Sequence, residues 1–214
     1  MNSESTTGLI LRTRPLTETS LIVQWLTPDL GRIATVAKGA RRPKSPFRGK
    51  LDLFYLADFS FARSRRSDLH NLREIVLRAT HEALRHDLAW LQQASYCAAF
   101  IEQTTETETP LPQIYELLAG LLRQLAKHPP QPLTVFAFEM KLLKELGQLP
   151  DIQESKLSAG AKQILAKLIE LDWPALPHLK PSAPQTRELN QFLHGFLIYH
   201  LEKIPRGRSA AVDL

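Results

Sequence analysis

The chain has 214 residues, 43% hydrophobic and 23% charged, the composition of a soluble globular protein with room for one large or two small domains. Its net charge of +5 is unevenly placed: residues 1–80 hold 14 Lys and Arg against 7 Asp and Glu, whereas residues 81–214 hold 13 against 15. A single cysteine, Cys97, excludes an intramolecular disulfide and a cysteine-based zinc site.

The N-terminal third reads as β structure. Leu9 to Arg14 alternates and ends at Pro15. Thr19 to Thr27 follows, with Leu21, Val23 and Trp25 on one face, and Pro28-Asp29-Leu30-Gly31 supplies a turn. Arg32 to Lys38 is a third strand, with Ile33, Thr35 and Ala37 pointing one way. A longer strand is expected over Leu51–Ala62, sharing Leu51, Leu53, Tyr55, Ala57, Phe59 and Phe61 on one face. Leu69 to Arg78 is a fifth strand whose Leu69, Leu72 and Val76 also fit a helix. Five short strands joined by polar turns suggest a small barrel or sandwich. Among small barrels, the five-stranded OB fold commonly binds oligonucleotides.

Between the third and fourth strands lies Lys38–Lys50, with Lys38, Arg41, Arg42, Lys44, Arg48 and Lys50 and no acidic residue. Two glycines and two prolines exclude a regular helix there. Cations held this densely repel one another, so an anionic partner is the simplest reason to keep them together; the bland alternative is a solvated surface loop. Arg12, Arg14, Arg32, Arg63, Arg65 and Arg66 sit at strand ends or turns and extend the basic character. Phe47, in the loop, is a candidate for stacking on unpaired bases, while Trp25 and Tyr55 read mainly as core.

Near Thr80 the hydrophobic period changes to that of helices. Trp90, Ala94, Cys97 and Ile101 recur at helical spacing, and Ile114, Leu117, Leu118, Leu121, Leu122 and Leu125 do so more clearly. A third helix is predicted over Pro132–Leu146 with Gly147 as its cap, and a fourth over Ser158–Leu171. Four prolines make Trp173–Pro184 a connector, the last helix spans Gln185–Glu202, and the tail Ile204–Leu214 is expected to fray. Thr104 to Thr109 reads as a solvated helix end and loop. The expected organisation is thus α+β and multidomain: residues 1–79 a five-stranded barrel, residues 80–214 an all-α unit.

Catalytic and metal motifs are not found. No phosphate-binding glycine loop or nucleophile elbow occurs, the seven histidines do not cluster, and Cys97 sits on an apolar helix face. No cofactor is expected. No apolar run approaches the roughly 20 residues needed to span a bilayer. Met1–Thr7 lacks the features of a signal peptide, so a cytoplasmic location is expected.

The order of the N-terminal motifs carries a resemblance. Thr17-Glu18-Thr19-Ser20-Leu21-Ile22-Val23, then Leu30-Gly31-Arg32, then Ala37-Lys38-Gly39-Ala40-Arg41-Arg42-Pro43-Lys44-Ser45 closely resemble the RecO family of bacterial recombination mediators. Weaker echoes are Phe138-Glu139-Met140-Lys141-Leu142-Leu143, Leu146-Gly147 with Pro150, Tyr199-His200-Leu201 and Arg206-Gly207-Arg208-Ser209. The resemblance implies an N-terminal OB domain and a helical C-terminal domain. It also implies binding to single- and double-stranded DNA, strand annealing, partnership with RecR and single-stranded-DNA-binding protein, loading of RecA, and association with the nucleoid.

Two departures stand out. Many relatives insert a four-cysteine zinc module after the L-G-x-x-P stretch, but residues 151–184 here contain no cysteine, so that module looks degenerate or absent. Relatives often carry basic residues before the F-E-x-x-L-L helix to receive the single-strand-binding protein's acidic tail. Val135-Phe136-Ala137 stand there instead, leaving Arg123, Lys127, Lys141 and Lys144 as substitute contacts. The expected DNA-binding residues are Lys38, Arg41, Arg42, Lys44, Phe47, Arg48, Lys50, Arg14, Arg32, Arg63, Arg65 and Arg66. The rival readings are an RNA-binding or ribosome-associated OB protein, since cations do not distinguish the two polymers, and a structural scaffold with an inert loop.

Overall fold

The computed structural model describes residues 3–125 and 127–213; the outermost residues of the stretch Met1–Thr7 and of the tail Ile204–Leu214 lie outside the described residues. The chain divides into two compact units. One comprises the residues up to Glu82 together with Thr105–Glu116, and the other comprises Ala83–Thr104 and the residues from Leu117 onward.

The first unit contains β1 (Ser3–Pro15), β2 (Leu21–Thr27), β3 (Gly31–Ala37), β4 (Leu56–Ala62) and β5 (Leu69–Ala79). They close into a barrel in the order β1-β2-β3-β5-β4, antiparallel everywhere except between β3 and β5. Parallel neighbours need a long crossover. The chain supplies it between Ala37 and Leu69, a stretch that holds both the basic loop and β4.

Strand alternation sends Ile10, Val23, Trp25, Ile33, Ala57, Phe59, Phe61 and Leu72 into one interior cluster. Trp25 stacks on Phe59 with ring centroids 3.9 Å apart, and its indole N–H donates to Thr35 Oγ1 at 2.8 Å. That bond matters because an unpaired N–H would be costly in so apolar a place.

The fourth strand is shorter than the alternation predicts, beginning at Leu56 and not Leu51. Phe54 takes a left-handed φ of 63°, which breaks the pleat, and its side chain is fully buried. The backbone there is satisfied by Ile10, through Phe54 N–H to Ile10 O at 2.8 Å and Ile10 N–H to Tyr55 O at 3.0 Å.

Gly31 ends the β2–β3 turn with φ 67°, and a Cβ there would collide with the Thr109 carbonyl. Glycine therefore allows Thr105–Glu116 to lie directly on the turn, where Glu108 N–H donates to Arg32 O at 2.9 Å.

The second unit is helical: α1 (Leu88–Thr104), the later turns of α2 (Pro112–Leu125), α3 (Pro132–Glu145), α4 (Ala159–Glu170), α5 (Ala183–Leu201) and α6 (Arg208–Val212). Ten residues of α3 are buried, from Leu133 to Leu143, so it is the central helix of this unit. Its end is a Schellman motif: Gln148 N–H returns to Leu143 O at 2.8 Å and Gly147 N–H to Lys144 O at 3.0 Å, with Gly147 at φ 67°. Ser158 and Ser182 cap α4 and α5, the latter with Gln185 in a capping box.

Within the expected ordered or semi-rigid connector, Trp173–His178 forms a 3-10 turn; its prolines are tolerated because so short a turn asks for few backbone donors. Trp173 lies so close to Gly120 that a Cβ there would meet the indole nitrogen. The tail does not simply fray: α6 buries Arg208, Ala211 and Val212.

Candidate nucleic-acid interface

The loop after β3 is made of consecutive turns and a bend from Lys38 to Lys50, interrupted at Ser45. Its backbone bonds run in short steps: Arg42 N–H to Gly39 O, Ser45 N–H to Arg42 O, Arg48 N–H to Ser45 O and Lys50 N–H to Phe47 O, at 3.0 to 3.2 Å. Arg41 N–H reaches across to Thr19 O at 2.9 Å and so pins the loop to the entry of β2. Gly39, at φ 68°, makes the first reversal.

Phe47 is 7% exposed and belongs to the interior cluster with Trp25 and Phe59. Its ring is therefore not the open platform expected from the sequence: most of it is buried, and what remains at the surface lines the concavity of the loop. The ring gains most by leaving water, and it fastens the loop to the barrel.

Lys38, Arg41, Arg42, Lys44 and Arg48 are exposed, and Lys50 is half-buried. Two guanidiniums are braced by loop carbonyls: Arg41 Nη1 donates to Thr17 O at 3.3 Å and Arg48 Nη1 to Pro43 O at 3.2 Å. Arg41, Arg42 and Arg48 line a concavity of about 420 Å³ with Leu21, Ala40, Pro43, Phe47, Gly49 and Leu51. No acidic side chain lines it.

The other expected cations are placed differently. Arg14 and Arg32 line a second concavity of about 360 Å³ that also contains Asp68 and Glu108, so its charge is mixed. Arg32 donates through Nε to Thr105 Oγ1 at 2.8 Å and also bonds the Thr105 carbonyl. Arg63 lies between Glu4 and Glu108, each 2.8 Å away, and this holds the Glu4 carboxyl below its ordinary value, chiefly through the hydrogen bond from Arg63. Arg65 and Arg66 are exposed in the β4–β5 turn. The expected cations thus separate into a loop group, two arginines in a concavity of mixed charge, Arg63 matched by two carboxylates, and a turn pair.

Residues 105–108 differ from the solvated helix end and loop that their polarity predicts. They engage Arg32, Arg63 and also His70, whose Nε2 faces Glu108 Oε1 at 2.9 Å. His70 Nδ1 accepts from Ser64 N–H at 3.3 Å, which places the imidazole proton on Nε2. The approach of Nε2 to Glu108 does not have the geometry of a hydrogen bond. Glu106 and Glu108, acids in a chain whose first 80 residues are basic, are the signal the sequence offers.

Of the expected partner contacts, Arg123, Lys127 and Lys144 are exposed. Lys141 is half-buried and its Nζ donates to Ile169 O at 3.1 Å, in the last turn of α4, with burial lowering its pKa. Among the described residues no group of three or more His, Cys, Asp or Glu could hold a metal ion, and no helix is long and apolar enough to cross a membrane.

The fold and the loop define an α+β protein in which a small closed barrel presents an all-cationic turn and is followed by helices. Residues 1–81 match the model of the Recombination protein O N-terminal domain, and residues 85–155 that of its C-terminal domain. The chain belongs to the RecO family.

Among curated proteins it is similar to the DNA repair protein RecO of Rhodopirellula baltica, 32% identical over 68% of this chain and 54% of that protein. It is 31% identical to that of Anaeromyxobacter dehalogenans over 70% of this chain and 59% of the relative. The RecO of Bacillus subtilis is 30% identical over 97% of this chain and 83% of its own length. The chain thus spans little more than half the length of the first two relatives.

Proposed function

We propose that this chain is a DNA-binding recombination mediator acting in DNA repair, in the cytoplasm at the nucleoid. Its barrel is an OB fold, as the strand order β1-β2-β3-β5-β4 supports. The role is annealing single strands and helping to load RecA onto gapped DNA coated with single-stranded-DNA-binding protein. RecR and that coating protein are its partners, reached through the helical unit, and no catalysis is involved.

The observation that carries the reading is the ordered loop Lys38–Lys50, with its six cations, no acid, and Phe47 buried as its anchor. Phosphates are what such a surface fits, and contacts to them position a strand without reading its sequence. That suits a protein acting wherever DNA is gapped.

The test is anisotropy of a labelled single-stranded oligomer across a salt series, with wild type and Arg41→Ala/Arg42→Ala/Lys44→Ala. Wild type is expected to show a log–log slope of roughly −3 to −4, corresponding to about five phosphates, and the triple variant a slope flatter by about 2. Equal binding by the two proteins would remove the loop from the site.

A further inference from the structure

We propose that the concavity inside the basic loop is a subsite for one unpaired nucleotide of single-stranded DNA, the base entering it and the flanking phosphates resting on its rim. This rests on the reading of the loop as the DNA site and deepens it.

The least exposed lining of the concavity is apolar: the buried Phe47 with the half-buried Leu21, Ala40 and Leu51. Its exposed lining carries the guanidiniums of Arg41, Arg42 and Arg48. An anion alone would need only the cations. A concavity lined by both apolar side chains and three arginines matches a ligand with a flat, poorly hydrated body and negative charge at its edge, which is the chemistry of a nucleotide. Its volume of about 420 Å³ falls in the range of roughly 300–1,000 Å³ typical of small-ligand sites.

The site is also formed in advance. Arg41 is fixed by both its backbone N–H to Thr19 O and its side chain to Thr17 O, Arg48 by Pro43 O, and Phe47 by the barrel interior. Little ordering is therefore left to do on binding. A paired base cannot turn its body into the concavity without leaving the helix, so the subsite favours single strands over duplex.

Two short labelled strands of equal length separate the two terms: one of thymidines, and one of abasic sugars with the same phosphates. Wild type is expected to bind the thymidine strand about tenfold more tightly, the effect of stacking one base, with equal salt slopes for both strands. Ala40→Phe, which fills the concavity and leaves every cation in place, is expected to erase that preference without changing the slope. Ala40→Leu carries the same test if the larger ring prevents folding.

Equal affinity of wild type for the two strands, or a preference that survives filling, would overturn the subsite while leaving the loop as a phosphate site. Displacement of the strand by thymidine monophosphate at matching concentration would reassign it to a free nucleotide. If neither strand binds, the reading of the loop as the DNA site fails along with the subsite.

Discussion

Glu139 and Arg208 lie 69 positions apart and face each other in the core of the helical unit, with Arg208 Nε 2.7 Å from Glu139 Oε1. Glu139 is 0% exposed and Arg208 5%. Tyr96 donates to the same carboxylate oxygen at 2.6 Å, Arg208 Nη2 reaches Oε2 at 3.1 Å, and Arg208 Nη1 donates to Asn190 Oδ1 at 2.6 Å. One buried network thereby ties α1, α3, α5 and α6 together. Removing one partner of a buried pair leaves a charge that nothing compensates, at about 3–5 kcal/mol. Arg208→Ala is expected to lower the denaturant midpoint accordingly and to expose α6 to proteolysis. Arg208→Ala combined with Glu139→Gln should cost less than the sum of the two single changes. An unchanged midpoint in Arg208→Ala would refute the network's role.

Phe47→Ala removes the anchor of the basic loop. The change is expected to destabilise the barrel by about 3–5 kcal/mol and to weaken strand binding as the cations lose their positions. Phe47→Leu should keep most of both, at a cost under about 1.5 kcal/mol. Thermal denaturation beside anisotropy checks this. A loss of affinity with no loss of stability in Phe47→Ala would return the ring to the role of a stacking platform.

Arg42 and Arg63 look alike in the sequence but are predicted to behave differently. Arg42 is exposed in a loop with no acid, whereas Arg63 already faces two carboxylates. Arg42→Ala should flatten the single-strand salt slope by about 0.7, the value of one phosphate contact, while Arg63→Ala should leave the slope unchanged. Because these ion pairs are largely exposed, Arg63→Ala should cost only about 0.2–1 kcal/mol of stability. Equal flattening by the two variants would show that Glu4 and Glu108 release Arg63 to the strand.

Asp58 gives the barrel an acid-sensitive joint. Its carboxylate accepts from Arg78 Nε at 2.6 Å and from Thr7 Oγ1 at 2.7 Å, tying β4 to β5 and β1. The Arg78 hydrogen bond, and then that of Thr7, hold its pKa below the ordinary aspartate value. A depressed folded pKa means stability that is fully present above the unfolded value and lost as pH falls through the folded one. Wild type should therefore exceed Asp58→Asn in denaturant midpoint above about pH 5, and the gap should narrow as pH drops below about 4. A gap that does not vary with pH would rule the contact out.

What the amino-acid sequence determined alone is what local chemistry decides. Alternation placed Val23, Trp25, Phe59 and Phe61 inside, helical spacing marked α2 to α5, and Gly147 marked the end of α3, because each signal lies within a few residues of its effect. The cationic loop was visible for the same reason. Where Phe47 points, whether Arg63 is matched, and whether the tail is held could not be read this way. Each depends on a partner far along the chain: the barrel interior for Phe47, Glu4 and Glu108 for Arg63, and Glu139 for Arg208. A charged residue in an apolar helix, such as Glu139 among Phe138, Met140 and Leu142, signals that a partner exists. Only closure of the chain in space, where burial makes an unpaired charge intolerable, decides which residue that partner is.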